Sequence, residues 1–286
     1  MTTVLGERIE ELRSDRQHGG SWMARRAVEA LVQESEHEAT SGEELLERLS
    51  SAGRELAASR PGIGAVAGAV GRLLACAQIG ANLEAEQLRQ LVRAEAEALV
   101  HSGRRAAASI AIQLQERLTD AVVLTHSASA TVREALLRTP PERVICTVSG
   151  PQEEGRMFAH ELRKEGLQVE LVDDAVAPSQ LEWATLLLLG ADTVYRCGTL
   201  CNKPGTRDLA ECAADEGVPT VVACEVLKLA PIELGDAASV GDRELTPPEL
   251  IDCIITEEGC FLPEDVAALV DRTPFLREGY ALLRRA

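Results

Sequence analysis

LLLLGADTVYRCGTLCNKPGTRDLAECAADEGVPTVVACEVLK, running from Leu186 to Lys228, decides the fold. Leu186 to Leu189 is an apolar run that stops at Gly190-Ala191-Asp192, so a carboxylate stands just past the end of a buried strand. A glycine-bearing turn follows. Asn202-Lys203-Pro204-Gly205-Thr206 then leads into a helical stretch, Arg207 to Glu216, closed by Gly217. Thr220 to Cys224 is a second apolar strand that ends in Glu225 and Lys228. Strand, polar turn, helix and strand make a parallel unit, and such sheets bind ligands at the carboxyl ends of their strands. Asp192, Asn202, Lys203 and Lys228 all fall there. An amide and two ammonium groups suit a phosphate, and a carboxylate suits a proton or a hydroxyl. The chain has 29 basic residues, of which only Lys164, Lys203 and Lys228 are lysines. Two of those three flexible point charges lie in this one unit.

Outward from this unit the alternation continues. Ala121 to His126 reads as a strand, Ser127 to Leu137 as a turn and helix, Val144 to Val148 as a strand. Glu154 to Gly166 is a helix and Val169 to Asp174 a third strand. Such alternation predicts a doubly wound parallel α/β sheet. After it, Glu244-Leu245-Thr246-Pro247-Pro248-Glu249-Leu250 reads as a proline-started helix and Ile254 to Glu257 as a short strand. Residues 1–118 read as helical. Leu5, Ile9 and Leu12 lie on one face, Ser21 is placed to cap a helix from Trp22 to Ser35, and Ser41 opens another through Leu49. The Gly- and Ala-rich run AVAGAVGRLLACAQIGA predicts close helix packing, and Leu83 to Leu118 a long brace between the halves. The expected organisation is a helical domain, 1–118, followed by a Rossmann-like α/β domain, 119–286.

The formal charge of -17, with pI about 4.8, excludes a basic face for DNA and attraction to anionic membranes. No run of eighteen apolar residues exists, and the N-terminus MTTVLGERIEELRSDR lacks a signal-peptide core, so a cytoplasmic protein is expected. Acidic charge, Arg in place of Lys and only 2% aromatic residues fit a halophilic source; a high-GC codon bias would explain the Arg preference without salt. The eight cysteines lie mostly in apolar strands or helices. Cys197 and Cys201 have no second ligand pair at zinc spacing, so no metal is expected.

Five segments in order resemble the initiation factor 2B α/β/δ family, which includes the regulatory subunits of that factor, ribose-1,5-bisphosphate isomerase and methylthioribose-1-phosphate isomerase. They are Arg60-Pro61, LTHSASATV from Leu124, EGR from Glu154, GADTVYRCGTLCNKPGT from Gly190 and LTPPELIDCIITEEG from Leu245. The resemblance implies a helical domain on a Rossmann-like domain, and a homodimer or ring of dimers. It implies a catalytic aspartate at Asp192 and substrate-binding groups at Asn202, Lys203, Lys228 and Arg60. The small-residue turn near the first helix matches Gly19, Gly20 and Ser21. Two departures matter. The family's catalytic cysteine is Ser127 here, and Ser149-Gly150-Pro151 replaces a Ser-Arg-Pro segment whose arginine holds phosphate. A serine hydroxyl is a far weaker base than a thiolate and needs a neighbouring base to act. Ser127 and Ser129 are also placed to cap the following helix or to hold a phosphate at its start. His126, on a strand, is expected to face away from Ser127. The implied protein is a binding or regulatory member with a pocket for a sugar phosphate or nucleotide phosphate; the alternative is an active isomerase converting ribose 1,5-bisphosphate to ribulose 1,5-bisphosphate. No cofactor is implied, and a translation factor is a candidate partner.

Overall fold

A computed structural model describes residues 4–16, 18–236 and 240–284. Five helices come first: α1 (Val4–Ser14), α2 (Gly20–Ser35), α3 (Gly42–Ser59), α4 (Gly64–Ile79) and α5 (Ala85–Leu118). The α/β part follows as β1 (Val122–Thr125), α6 (Ala130–Arg138), β2 (Arg143–Thr147), α7 (Glu154–Lys164), β3 (Val169–Val172), β4 (Leu186–Leu189), β5 (Thr193–Tyr195), β6 (Leu200–Asn202), α8 (Thr206–Glu216) and β7 (Thr220–Ala223). The chain closes with β8 (Leu229–Ala230), β9 (Glu244–Thr246), β10 (Cys253–Thr256), β11 (Gly259–Phe261), α9 (Val266–Asp271) and α10 (Pro274–Arg284).

The main sheet has seven strands in the order β11-β10-β7-β4-β1-β2-β3, all parallel except β11 at one edge. Its central strands β4 and β7 are buried along their whole length, as expected of parallel strands covered on both faces. The sheet therefore has an apolar core on each side, one around Leu187, Leu189 and Val222, the other around Val123, Leu186 and Leu188.

The unit that opened the sequence reading contains more than a turn between its two strands. Thr193–Tyr195 and Leu200–Asn202 pair as a hairpin around Gly198, whose φ of +83° suits a residue without a side chain. The hairpin joins β8 and β9 in a second sheet of order β8-β5-β6-β9. Asn202 and Lys203 thus stand at the end of a strand of this small sheet. Two other expectations are corrected. Residues 244–250 form strand β9 and a single 3-10 turn at Pro248–Leu250, because Glu244–Thr246 find a free edge on β6. Helix α2 starts at Gly20 without a side-chain cap, since the Ser21 hydroxyl points to Glu225 instead, at 3.4 Å. Ser41 caps as expected, accepting from the Glu44 N–H, but its helix runs on to Ser59.

Helix α4 explains its own composition. Gly64 donates its N–H to Thr193 Oγ1 at 2.6 Å, and a Cβ on Gly68 would lie 2.0 Å from the Leu227 carbonyl. On the far face Gly71 crosses Gly279 of α10, where a Cβ on Gly279 would lie 2.5 Å from the Gly71 backbone. Small residues at these spacings let the Leu227–Lys228 backbone, the Gly279 backbone and the Thr193 side chain approach α4. Helix α5 buries Leu88, Val92 and Leu99 in the helical core, and Ile110, Leu114 and Leu118 against the sheet.

Gly279→Ala should destabilise the protein by about 1–3 kcal/mol, because backbone cannot yield to the new methyl as a side chain would. Gly103→Ala in the exposed middle of α5, where a Cβ meets nothing within 4 Å, should instead stabilise by up to about 1 kcal/mol. Thermal unfolding of both variants reads the two signs; equal shifts would contradict this account of the α4–α10 crossing.

Candidate functional site

Strand order reverses between β1 and β4, so the connections leaving their carboxyl ends part to opposite sides and open a crevice. A cavity of about 150 Å³ lies there. Its floor is the β1–α6 turn and the residues after β4; its far wall is the start of α2, brought over by α4. Ser127, Ser129, Asp192, Asn202, Lys203, Lys228, Gly20 and Ser21 all line it. Arg60 does not: it lies behind the wall, with Nη1 donating to the carbonyls of Leu12 at 3.4 Å and Asp15 at 2.5 Å. Arg16, Arg25, Lys203, Lys228 and Arg243 place five cations on the wall against two carboxylates, Glu154 and Asp192. Glu225 beside Lys228 and Asp242 beside Arg16 and Arg243 bring the carboxylates in contact with these cations to four, so in a chain of formal charge -17 this wall still holds more cations than carboxylates.

Three polar clusters make up the site. In the first, the Arg243 guanidinium meets Asp192 Oδ2 at 2.6 Å, and Gly20 packs against the same carboxylate. Burial pushes the Asp192 carboxyl above its ordinary value, while Arg243, Lys228 and Arg60 pull it back. In the second, Lys228 Nζ lies 3.0 Å from Glu225 Oε2, and Thr131 Oγ1 donates to Glu225 Oε1 at 2.9 Å. Burial opposes charge on both partners, but each stabilises the other's ionised form: Glu225 is held below its ordinary value and Lys228 above.

The third cluster is built on Ser127. The residue follows β1 with φ of +68°, a conformation costly for a residue with a Cβ. Its N–H donates to Ser149 Oγ at 2.8 Å, and its hydroxyl donates to Glu154 Oε1 at 2.7 Å. The other oxygen of Glu154 meets Lys203 Nζ at 3.0 Å, and Lys203 also donates to Gln152 Oε1 at 2.5 Å. The serine hydroxyl therefore has a carboxylate neighbour. Ser129 accepts from the Val132 N–H at 3.3 Å as the cap of α6, and Asn202 donates to Thr206 Oγ1 at 3.2 Å.

His126 also reaches the cavity wall, contrary to the expectation that it faces away from Ser127: the strand ends at Thr125, and the left-handed backbone at Ser127 breaks the alternation. Its nitrogens are both engaged. The Pro204 carbonyl can only accept, so Nε2 donates to it at 2.9 Å and Nδ1 accepts from Thr147 Oγ1 at 2.7 Å. Arg243 escaped the sequence reading, and Glu225 was named there at a strand end without a role in the site. Arg243 stands in a polar stretch with no periodic signal, 51 residues beyond Asp192; Glu225, beside a strand end, was visible by position alone. Glu154 was read only as the start of a helix and as part of EGR, with no role in the site.

Burial depresses the His126 pKa below 6.5, so the folded state resists a proton that the unfolded chain accepts. The unfolded state then binds more protons as pH falls below about 6.5, and stability is lost there with a slope of up to about 1.4 kcal/mol per pH unit. Urea unfolding between pH 7.5 and 5.5 should show a shallower loss in His126→Asn than in wild type; identical slopes would exclude this role.

The chain matches the family model described as "Initiation factor 2 subunit family" over residues 16–244. It is 31% identical over 277 residues to a Pyrococcus furiosus protein named "Putative translation initiation factor eIF-2B subunit 2-like", covering 89% of this chain and 95% of that one. It is 29% identical over 283 residues to the ribose 1,5-bisphosphate isomerase of Haloferax volcanii, covering 88% and 87%. Among solved structures, the Pyrococcus horikoshii OT3 translation initiation factor eIF-2B superposes with a TM-score of 0.80 at 25% identity, covering 92% of this chain and 98% of that one. Fold, ordered motifs and these matches agree, and the chain belongs to the initiation factor 2 subunit family.

Proposed function

We propose that the chain binds a phosphorylated small molecule, a sugar phosphate or nucleotide phosphate, in the cavity between β1, β4 and the start of α2, and acts as a binding or regulatory member of its family. The observation that carries this reading is the convergence of five cations on one concave wall of an acidic chain. A cavity near 150 Å³ falls below the roughly 300–1,000 Å³ of sites for drug-sized ligands, which favours a compact, polar ligand over an extended one. The two kinds of relative, one named for a translation factor and one for an isomerase, support a translation factor as partner and a sugar phosphate as ligand. The acidic composition supports a halophilic source, so binding belongs in high salt.

A second reading, aldose–ketose isomerisation of ribose 1,5-bisphosphate, is favoured by the raised Asp192 carboxyl and by the Glu154 carboxylate beside Ser127. In that reaction Asp192 gives a proton to the ring oxygen as the C1–O bond opens and takes one from the 2-hydroxyl as the ketone forms. Glu154 removes the proton from carbon 2 and returns one to carbon 1, supplying the base that the Ser127 hydroxyl is not.

Lys203→Gln should weaken binding of ribose 1,5-bisphosphate or ribose 5-phosphate by roughly ten- to a hundredfold, the worth of a hydrogen bond to a charged group. Calorimetric titration measures it, and unchanged affinity would remove Lys203 from the site. Turnover of ribose 1,5-bisphosphate by wild type, Ser127→Cys, Asp192→Asn and Glu154→Gln separates the readings. Wild-type turnover lost in both carboxylate variants establishes the isomerase. Binding without turnover, with activity appearing only in Ser127→Cys, establishes the regulatory member.

A further inference from the structure

Away from the cavity, two thiols and a guanidinium meet at one edge of the main sheet. Strands β10 and β11 pair antiparallel with Ile255 opposite Cys260. Cys253 lies two residues before Ile255, so it shares a face with Cys260 and stands diagonal to it. The Cys253 thiol donates a hydrogen bond to Cys260 Sγ. Arg117 Nη2, from the last turn of α5, donates to the same sulfur at 3.8 Å. The two cysteines differ in access: Cys253 is buried in the core on that face of the sheet, and Cys260 is exposed. Among the described residues no other cysteine has this setting. Cys146, Cys201 and Cys224 are buried, and burial pushes their thiols up, the first two to about 12. Cys76 and Cys212 are half-buried, with burial and nearby carboxylates raising their thiols. Cys197 is exposed, but its sulfur meets the Thr199 hydroxyl at 3.2 Å.

We propose that Cys260 and Cys253 form a modification site for small hydroperoxides, with Cys260 as the attacking thiol, Arg117 as the cation beside it and Cys253 as the resolving thiol. The thiolate is the form that attacks, and an exposed sulfur with a cation and a donor on it is placed to carry that charge. Cys260 Sγ attacks one peroxide oxygen. The O–O bond breaks, the sulfur becomes a sulfenic acid, and an alcohol departs, or water where the oxidant is hydrogen peroxide. Cys253 Sγ then attacks the sulfenic sulfur. The S–O bond breaks, a disulfide forms, and water leaves with the Cys253 proton. Two thiols thereby lose two electrons and two protons, and the hydroperoxide is reduced to an alcohol and water. Burial, and then the bond to Cys260, push the Cys253 thiol up to about 12, which suits it to the second step and not the first. Diagonal neighbours of this kind have Cα atoms about 7–8 Å apart, just beyond the usual span of a disulfide. The bridge therefore draws β11 inward. That strand has three residues and one neighbour, and it begins at Gly259 with φ of +141°, so few bonds resist the movement. An exposed bridge formed in this way is readily reduced again.

The test is oxidation of the full chain with one equivalent of hydrogen peroxide, followed by alkylation of the remaining thiols, trypsin digestion and mass spectrometry. No Lys or Arg lies between Arg243 and Arg272, so trypsin releases both cysteines in the single peptide Glu244–Arg272. In wild type this peptide should appear unalkylated and two hydrogens lighter, with the six other cysteines alkylated. Dithiothreitol added before alkylation should restore the doubly alkylated form. Cys253→Ser should leave Cys260 as a sulfenic acid that dimedone captures, and Cys260→Ser should leave Cys253 reduced. Arg117→Gln should react roughly two- to fivefold more slowly, the worth of an exposed ion pair. Oxidation of another cysteine while Cys253 and Cys260 stay alkylated would overturn the inference. Oxidation of Cys253 in Cys260→Ser would overturn the order of attack, and an unchanged rate in Arg117→Gln would remove the arginine from the site.

Discussion

The site depends on how closely α4 approaches the small sheet. With a side chain at Gly64 or Gly68 the helix would stand off from Thr193 and from the Leu227 carbonyl, and the turn that carries Lys228 would lose its cover. The helical unit would then no longer bring Gly20 and Ser21 to the ends of β1 and β4. Interiors are packed tightly enough that such a displacement does not heal locally. The cavity is the space left where two close-packed units meet at a strand reversal, and its walls come from both.

Charge is arranged inside that space in pairs. Glu225 with Lys228, Glu154 with Lys203 and Asp192 with Arg243 each set a carboxylate against a cation at 2.6 to 3.0 Å. Buried ions are tolerated when their partners and hydrogen bonds are in place, and removing one partner is costly. Each pair therefore supports the other residues' positions as well as any chemistry they perform. The acidic exterior has a further effect. It repels anions at long range, which salt screens, while the concave wall attracts them at short range.

Much of this was legible in the sequence because strand ends are legible. Asp192, Asn202, Lys203 and Lys228 each follow a short apolar run, and the structure gathers all four around one cavity with Ser127. The hairpin between Asp192 and Asn202 was not legible, since two three-residue strands are too short to show alternation. Ser21 looked like a cap and is a ligand of Glu225 instead, because the bare N-terminus of α2 faces a buried carboxylate that no local pattern announces. Arg243 illustrates the limit of local reading most clearly. Its partner is 51 residues upstream, and only the assembly of β9 onto β6 brings the two together.

Helix α5 has a mechanical consequence. Its 34 residues span about 51 Å at 1.5 Å per residue, with one end embedded in the helical core and the other against the sheet. Its single glycine, Gly103, falls between the last residue buried in the first core, Leu99, and the first buried in the second, Ile110. Ser102 precedes it, and Gly/Ser pairs are where helices bend most readily. The strut is stiff along each core and most compliant between them, so flexing of one unit against the other concentrates at a residue with no side chain to resist it.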